Sequence, residues 1–153
     1  MIDVLAVLTS TAAASAFRTM GGGELELRPI ADVTCGEERC VTSSVPYQGP
    51  VAGIIHRHAT SGLAHQVSAT MLSQPRSSEV PDDLVADTMG EFTNMVIAKI
   101  QSRLTDRGVP CVITPPQVTW HPHLTARDAP GPRCRTLPFT SAHGPLLIER
   151  ILQ

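Results

Sequence analysis

DLVADTMGEFTNMVIAKIQSRLTDR, residues 83–107, is the stretch whose reading decides the fold. It holds no proline and a single glycine, Gly90. Pro81 stands just ahead of it, Gly108-Val109-Pro110 follows it, and Arg103 and Arg107 lie toward its end. These are helix start and stop signals, and the basic residues suit the negative end of the helix dipole. At about 100° per residue, Val85, Met89, Phe92, Val96, Ile97, Ile100 and Leu104 fall on one broad apolar arc. Asp87, Glu91, Asn94 and Gln101 gather on the other side, within roughly 80° on the same geometry. Asp87, Glu91 and Asn94 follow i, i+4, i+7 spacing, so their side chains form one line along the exposed face. A polar outer face is the norm for such a helix, so spacing alone describes a solvated surface.

The residue types go further. DTMGEFTNM, residues 87–95, resembles the D-x-x-G-E-[IL]-x-N-M pattern of the CheC/CheX chemotaxis phosphatases, proteins that hydrolyse the phospho-aspartate of a response regulator. GIIHRH (53–58), with the Ala- and Leu-containing stretch ending TML (70–72), resembles that family's strand and second helix. AFRTMG (16–21) resembles the end of its first helix. The likeness covers most of residues 1–120, and the E-x-x-N helix is its specific part.

That resemblance implies an α+β fold, long helices packed on a largely antiparallel sheet, as a single CheX-like domain over residues 1–153. It implies a cytoplasmic enzyme, a protein aspartyl-phosphate phosphatase in chemotaxis or a related two-component pathway. Glu91 and Asn94 take the catalytic positions, and Asp87 and Ala98 fall on the partner-binding surface. The implied partner is a phosphorylated, CheY-like receiver domain that brings its own Mg²⁺, so the enzyme needs no cofactor or metal of its own. The family is an internal duplication, and some members carry Glu and Asn on the first helix too. Here Ala, Ser and Thr dominate residues 2–19 and no E-x-x-N occurs, so one active site per chain is expected. The sequence departs from the pattern at Ala98, where Gly is common, at Lys99, where Asn is frequent, and at Gln101, where a basic residue is frequent. The competing reading is a non-catalytic docking module of the same architecture, like flagellar switch components. A third class, metal or redox sensing, would use the histidines and cysteines.

Composition bounds the rest. A chain of 153 residues suits one domain with a real core. Formal charge is −2 with acidic and basic residues mixed, which argues against nucleic acid as the main partner. Aromatic residues make up only 3%, so base-stacking platforms are not expected and the core must be aliphatic. No apolar run approaches the length of a membrane span. VLAVL (4–8) followed by AAASA (12–16) faintly resembles a signal peptide, yet Asp3 stands where a basic region belongs, and an amphipathic first helix is the better reading. Cys35, Cys40, Cys111 and Cys134 show no zinc spacing. Cys35 and Cys40 sit close enough to meet across a short hairpin, but buried, reduced thiols are expected in a cytosolic protein.

Along the chain, residues 2–19 predict a helix with Ile2, Leu5, Leu8, Ala12, Ala16 and Phe17 on one face. Residues 25–33 predict an exposed short strand, and 40–47 and 51–58 an antiparallel pair around Gln48-Gly49-Pro50. His56 and His58 share one face of that pair. Thr60 or Ser61 opens a second helix running to about Ser73, with Leu63, Ala64, Val67 and Met71 inward. Residues 112–114 and 118–120 read as strand broken by Pro115-Pro116, with Trp120 partly buried. His121-Pro122-His123 opens a proline-rich loop and invites a metal reading. Residues 134–140 and 144–151 close the chain as two strands, the last apolar enough to need cover, which together with the resemblance predicts a homodimer.

Overall fold

The computed structural model describes residues 4–19, 23–28, 37–50, 52–123 and 133–153. Helix α1 spans Val4–Thr19, α2 spans Ser61–Met71 and α3 spans Asp82–Asp106. The strands are β1 Glu26–Leu27, β2 Cys40–Gln48, β3 Gly53–Thr60, β4 Val112–Ile113, β5 Gln117–His121, β6 Cys134–Ser141 and β7 Gly144–Leu152. Among the described residues they form one seven-stranded sheet in the order β1-β6-β7-β3-β2-β4, with β5 also paired to β2. Every pairing is antiparallel. The α+β class expected from the resemblance is therefore the fold.

The long helix runs where its signals place it, with Asp82 and Asp83 in its first turn. Its end is closed by a paired cap. Val109 N–H donates to Leu104 O at 2.8 Å and Gly108 N–H to Thr105 O at 2.9 Å. Gly108 takes φ +76°, the left-handed conformation such a stop needs and other residues resist. The apolar arc of α3 is the core face: Val85, Met89, Phe92, Val96, Ile97 and Ile100 are buried, and Leu104 packs at its rim.

Strand alternation supplies the other half of the core. Val41, Val45 and Tyr47 of β2, Ile55 and Ala59 of β3, Leu137 and Phe139 of β6, and Leu146 and Ile148 of β7 share one core with the helices. Ala12, Ala13 and Ala16 bring α1 into that core without bulk, and Phe17 meets Phe92 edge to face with ring centroids 6.3 Å apart. The predicted face of the first helix holds at Leu8, Ala12, Ala16 and Phe17; Ile2 lies outside the described residues and nothing is described of the Leu5 side chain. On α2, Leu63, Ala64 and Val67 are buried as predicted, while Met71 is only half-buried.

Two expectations change. The last strand does not form an edge: β7 pairs with β3 on one side and β6 on the other, so its apolar residues are covered within the chain. The argument that this strand needs a second subunit therefore fails. Of the strand expected over 25–33, the described residues show the exposed pair Glu26–Leu27 on β6, while 29–33, and Cys35 with its hairpin to Cys40, lie outside the described residues. No helix of the described residues is long and apolar enough to cross a membrane.

Candidate active site

With its arc turned inward, α3 exposes Asp87, Glu91, Asn94 and Ala98. Their polar neighbours on the helix are engaged within the protein. Thr88 Oγ1 donates to Leu84 O at 2.7 Å, and Thr93 Oγ1 to Met89 O at 2.9 Å. Gln101, grouped with the exposed line in the sequence, is instead half-buried and donates through Nε2 to Cys111 O at 2.7 Å. It ties the segment after α3 to the helix. No hydrogen bond or ion pair among the described residues engages Asp87, Glu91 or Asn94.

Beside that line lies a cleft of about 550 Å³. Asp87, Gly90, Glu91 and Asn94 supply the α3 wall, Met71 and Leu72 the end of α2, and Pro116 and Val118 the start of β5. Gly90 is the floor. A Cβ there would lie 3.4 Å from Val118 Cγ2 and 3.8 Å from Pro116 Cγ, in ordinary contact, so β5 packs close against the helix at this point. Ala98 is exposed one turn beyond Asn94, outside the lining of this cleft. The apolar borders were not legible as site residues. Met71 read as core, and Pro116 and Val118 as a broken strand. Only the pairing of β5 with β2 carries them to the helix.

The start of α3 is held by a polar cluster. Arg39 donates to both carboxylate oxygens of Asp82, at 2.8 and 3.3 Å, and His65 Nε2 lies 3.3 Å from the same carboxylate. Trp120 Nε1 donates to Asp82 O at 3.4 Å, and the Arg39 guanidinium sits 4.6 Å from the centroid of the Trp120 ring. The Arg39 hydrogen bond, reinforced by the charges of Arg39 and His65, holds the Asp82 carboxyl below the usual carboxylate range. The cluster joins β2, α2 and β5 to the helix that carries the candidate pair.

The paired histidines of β3 are engaged within the sheet. The His56 and His58 rings stack 6.1 Å apart. Nδ1 of each is satisfied by a neighbouring hydroxyl, Ser44 at 2.7 Å and Thr42 at 2.8 Å. His58 Nε2 is also 2.5 Å from Glu149 Oε1. His121 and His123 are both exposed, and His121 Nε2 contacts Thr119 Oγ1 at 3.2 Å. Among the described residues no group of three or more His, Cys, Asp or Glu is arranged to hold a metal ion. Among the described residues no disulfide forms: Cys40 is buried, and Cys111 and Cys134 are half-buried.

The domain is α+β and presents an acid and an amide, one turn apart, beside an open cleft. The chain belongs to the chemotaxis phosphatase CheX family, whose sequence profile matches residues 41–140. No curated protein matches it in sequence. The crystal structure of the chemotaxis protein CheX from Vibrio vulnificus is 22% identical over 98% of this chain and 97% of that one, with a TM-score of 0.81. A CheC-like superfamily protein from Shewanella sp. PV-4 is 21% identical over 100% and 99%, with a TM-score of 0.80. The CheX-CheY-BeF3-Mg²⁺ complex from Borrelia burgdorferi matches at 20% identity over 95% and 96%, with a TM-score of 0.70. At these identities the likeness establishes the fold.

The Arg39–Asp82 contact has a pH signature. The Asp82 pKa is lowered on folding, so the contact contributes stability above the unfolded carboxyl value of 3.8 and loses it as pH falls through the folded value. Arg39→Ala should therefore flatten the fall of melting temperature below about pH 4. Both residues are about half exposed, so the effect should be small and should shrink with added salt. Identical acid limbs for the variant and the parent would show that the contact contributes nothing.

Proposed function

We propose that this chain hydrolyses the phospho-aspartate of a response-regulator receiver domain, with Glu91 and Asn94 as the catalytic pair and Asp87 and Ala98 on the docking surface. The observation that carries the reading is the exposed acid and amide at i, i+3 on α3, without a partner among the described residues and beside an open cleft. Family membership supports it, since the family is one of chemotaxis phosphatases. That a CheX was crystallised with CheY, BeF3 and Mg²⁺ gives such a partner a precedent in the fold.

Aspartyl phosphate is a mixed anhydride and already reactive toward water. The receiver supplies Mg²⁺ and a lysine that stabilise the transferring phosphoryl group. The remaining task is to hold a water in line with the bond between phosphorus and the acyl oxygen. Asn94 can do this without titrating: its carbonyl oxygen accepts from the water and its amide donates to a phosphoryl oxygen. Attack forms the new P–O bond, breaks the acyl phosphate and leaves inorganic phosphate and a free aspartate. Glu91 pairs with the receiver's lysine in a charge-assisted bond that sets the depth and angle of approach. No metal of the chain's own enters this scheme.

Water positioning is a transition-state contribution, so Asn94→Ala should lower stimulated phosphate release by about two orders of magnitude while leaving receiver affinity nearly intact. Release unchanged by that substitution would remove Asn94 from the chemistry.

Glu91 should behave differently, because one contact serves both docking and charge. Affinity for a receiver carrying a phosphoryl mimic should fall from the parent to Glu91→Gln or Glu91→Ala, and furthest for Glu91→Lys, which sets two cations face to face. Equal binding by all three variants would return Glu91 to the solvated surface.

Self-association belongs to the proposal on altered grounds. Among the described residues β5 pairs only with β2, so its outer edge is open where β7 is covered. A homodimer through that edge is expected, and a monomer by sedimentation at high concentration would count against it.

A further inference from the structure

Arg57 sits on β3 in the centre of the sheet, is 2% exposed and ranks among the largest fully buried side chains. Burying a cation is expensive unless its surroundings repay the lost water. No carboxylate among the described residues pairs with it, and burial pushes the guanidinium down to about 9, which still leaves it charged at neutral pH. Its hydrogen bonds show where it acts. Nε donates to Thr93 Oγ1 at 2.8 Å, and Nη2 donates to Met89 O at 3.2 Å and to Ser43 Oγ at 2.5 Å. Thr93 Oγ1 in turn donates to Met89 O at 2.9 Å. These bonds close a ring that grips one turn of α3, residues 89–93, from behind, and Ser43 ties the same guanidinium to β2. The ring of Phe92 lies 5.6 Å from the guanidinium carbon, so a cation–π contact falls on the same turn.

That turn carries Glu91 on its outer face, and Asn94 follows one residue after Thr93. Apolar packing of Val85, Phe92 or Ile97 holds the helix against the sheet but is not directional. Hydrogen bonds to fixed acceptors are directional, and a planar guanidinium fork cannot follow a helix that rolls or slides. We propose that Arg57 is a positioning residue: it fixes the rotation and height of α3, and through them the placement of Glu91 and Asn94 toward the partner. The inference rests on the phosphatase reading for its kinetic consequence. The clamp itself does not.

The test uses the full chain with a phosphorylated receiver that it acts on, and reads kcat, KM, melting temperature and amide exchange over residues 90–94. Arg57→Met removes the fork and keeps an apolar side chain of similar length, a replacement for a buried charge that is often neutral or stabilising. The expected result is faster exchange at those amides and a fall in kcat of about tenfold to a hundredfold. KM should rise as kcat falls, because Glu91, which also serves docking, is displaced with Asn94, and the melting temperature should be largely kept. Thr93→Val removes only the bridging hydroxyl and carries the test should Arg57→Met not fold. It should shift exchange and kcat the same way, and Thr93→Ser, which keeps the hydroxyl, should restore both. Folded variants with parental exchange and kcat would overturn the proposal. So would a Thr93→Ser protein as impaired as Thr93→Val. A parent chain inactive on every receiver would sink the phosphatase reading instead, and amide exchange would still decide whether the clamp exists.

Discussion

A helix can present two side chains to a partner only if its rotation about its own axis is settled. In this fold that constraint falls on α3, whose buried arc spans its middle turns while the opposite strip stays in water. One residue of roll would carry Glu91 and Asn94 about 100° away from their exposed positions. The Arg39–Asp82 contact restrains the first turn, while Phe92 against Phe17, Gly90 against Val118 and the Arg57 hydrogen bonds all fall on the turn 89–93 that carries Glu91. The sheet serves mainly as the surface against which that rotation is defined.

Economy of chemistry follows from the same arrangement. A phosphatase acting on a reactive anhydride needs no nucleophilic side chain and no tuned general base. It needs an acceptor and a donor in the right place, and an amide supplies both at any pH. On α3, Thr88, Thr93 and Gln101 are satisfied by Leu84 O, Met89 O and Cys111 O, whereas Asp87, Glu91 and Asn94 have no partner among the described residues.

Local pattern made much of this legible. The 3.6-residue period of Val85, Met89, Phe92 and Val96 named the buried face of α3, and Gly108 marked its end. Asp87, Glu91 and Asn94 were singled out by their likeness to the D-x-x-G-E-x-x-N pattern, spacing alone describing a solvated face, and all three are exposed on α3. What escaped depends on contacts between distant parts of the chain. Strand order puts β7 between β3 and β6, so an apolar terminal strand that looked like an open edge is interior. Register brings Val118 and Pro116 beneath Gly90, although the sequence shows only a strand broken by prolines. Gln101 has the right phase for the exposed line and is drawn aside by a carbonyl ten residues on. Arg57 alternates with two histidines in a strand, and nothing local says that its side points under α3 rather than into water.

Activity toward acyl phosphate on a partner protein is decided by wild-type turnover. Receiver domains from the same genome, phosphorylated with a labelled phosphodonor in Mg²⁺, are mixed with catalytic amounts of this chain, and the decay of label is followed for each. The account predicts that at least one receiver loses its phosphate well above its own rate, with inorganic phosphate released in step. Every receiver decaying at its unassisted rate, at concentrations where binding is demonstrated, would contradict it.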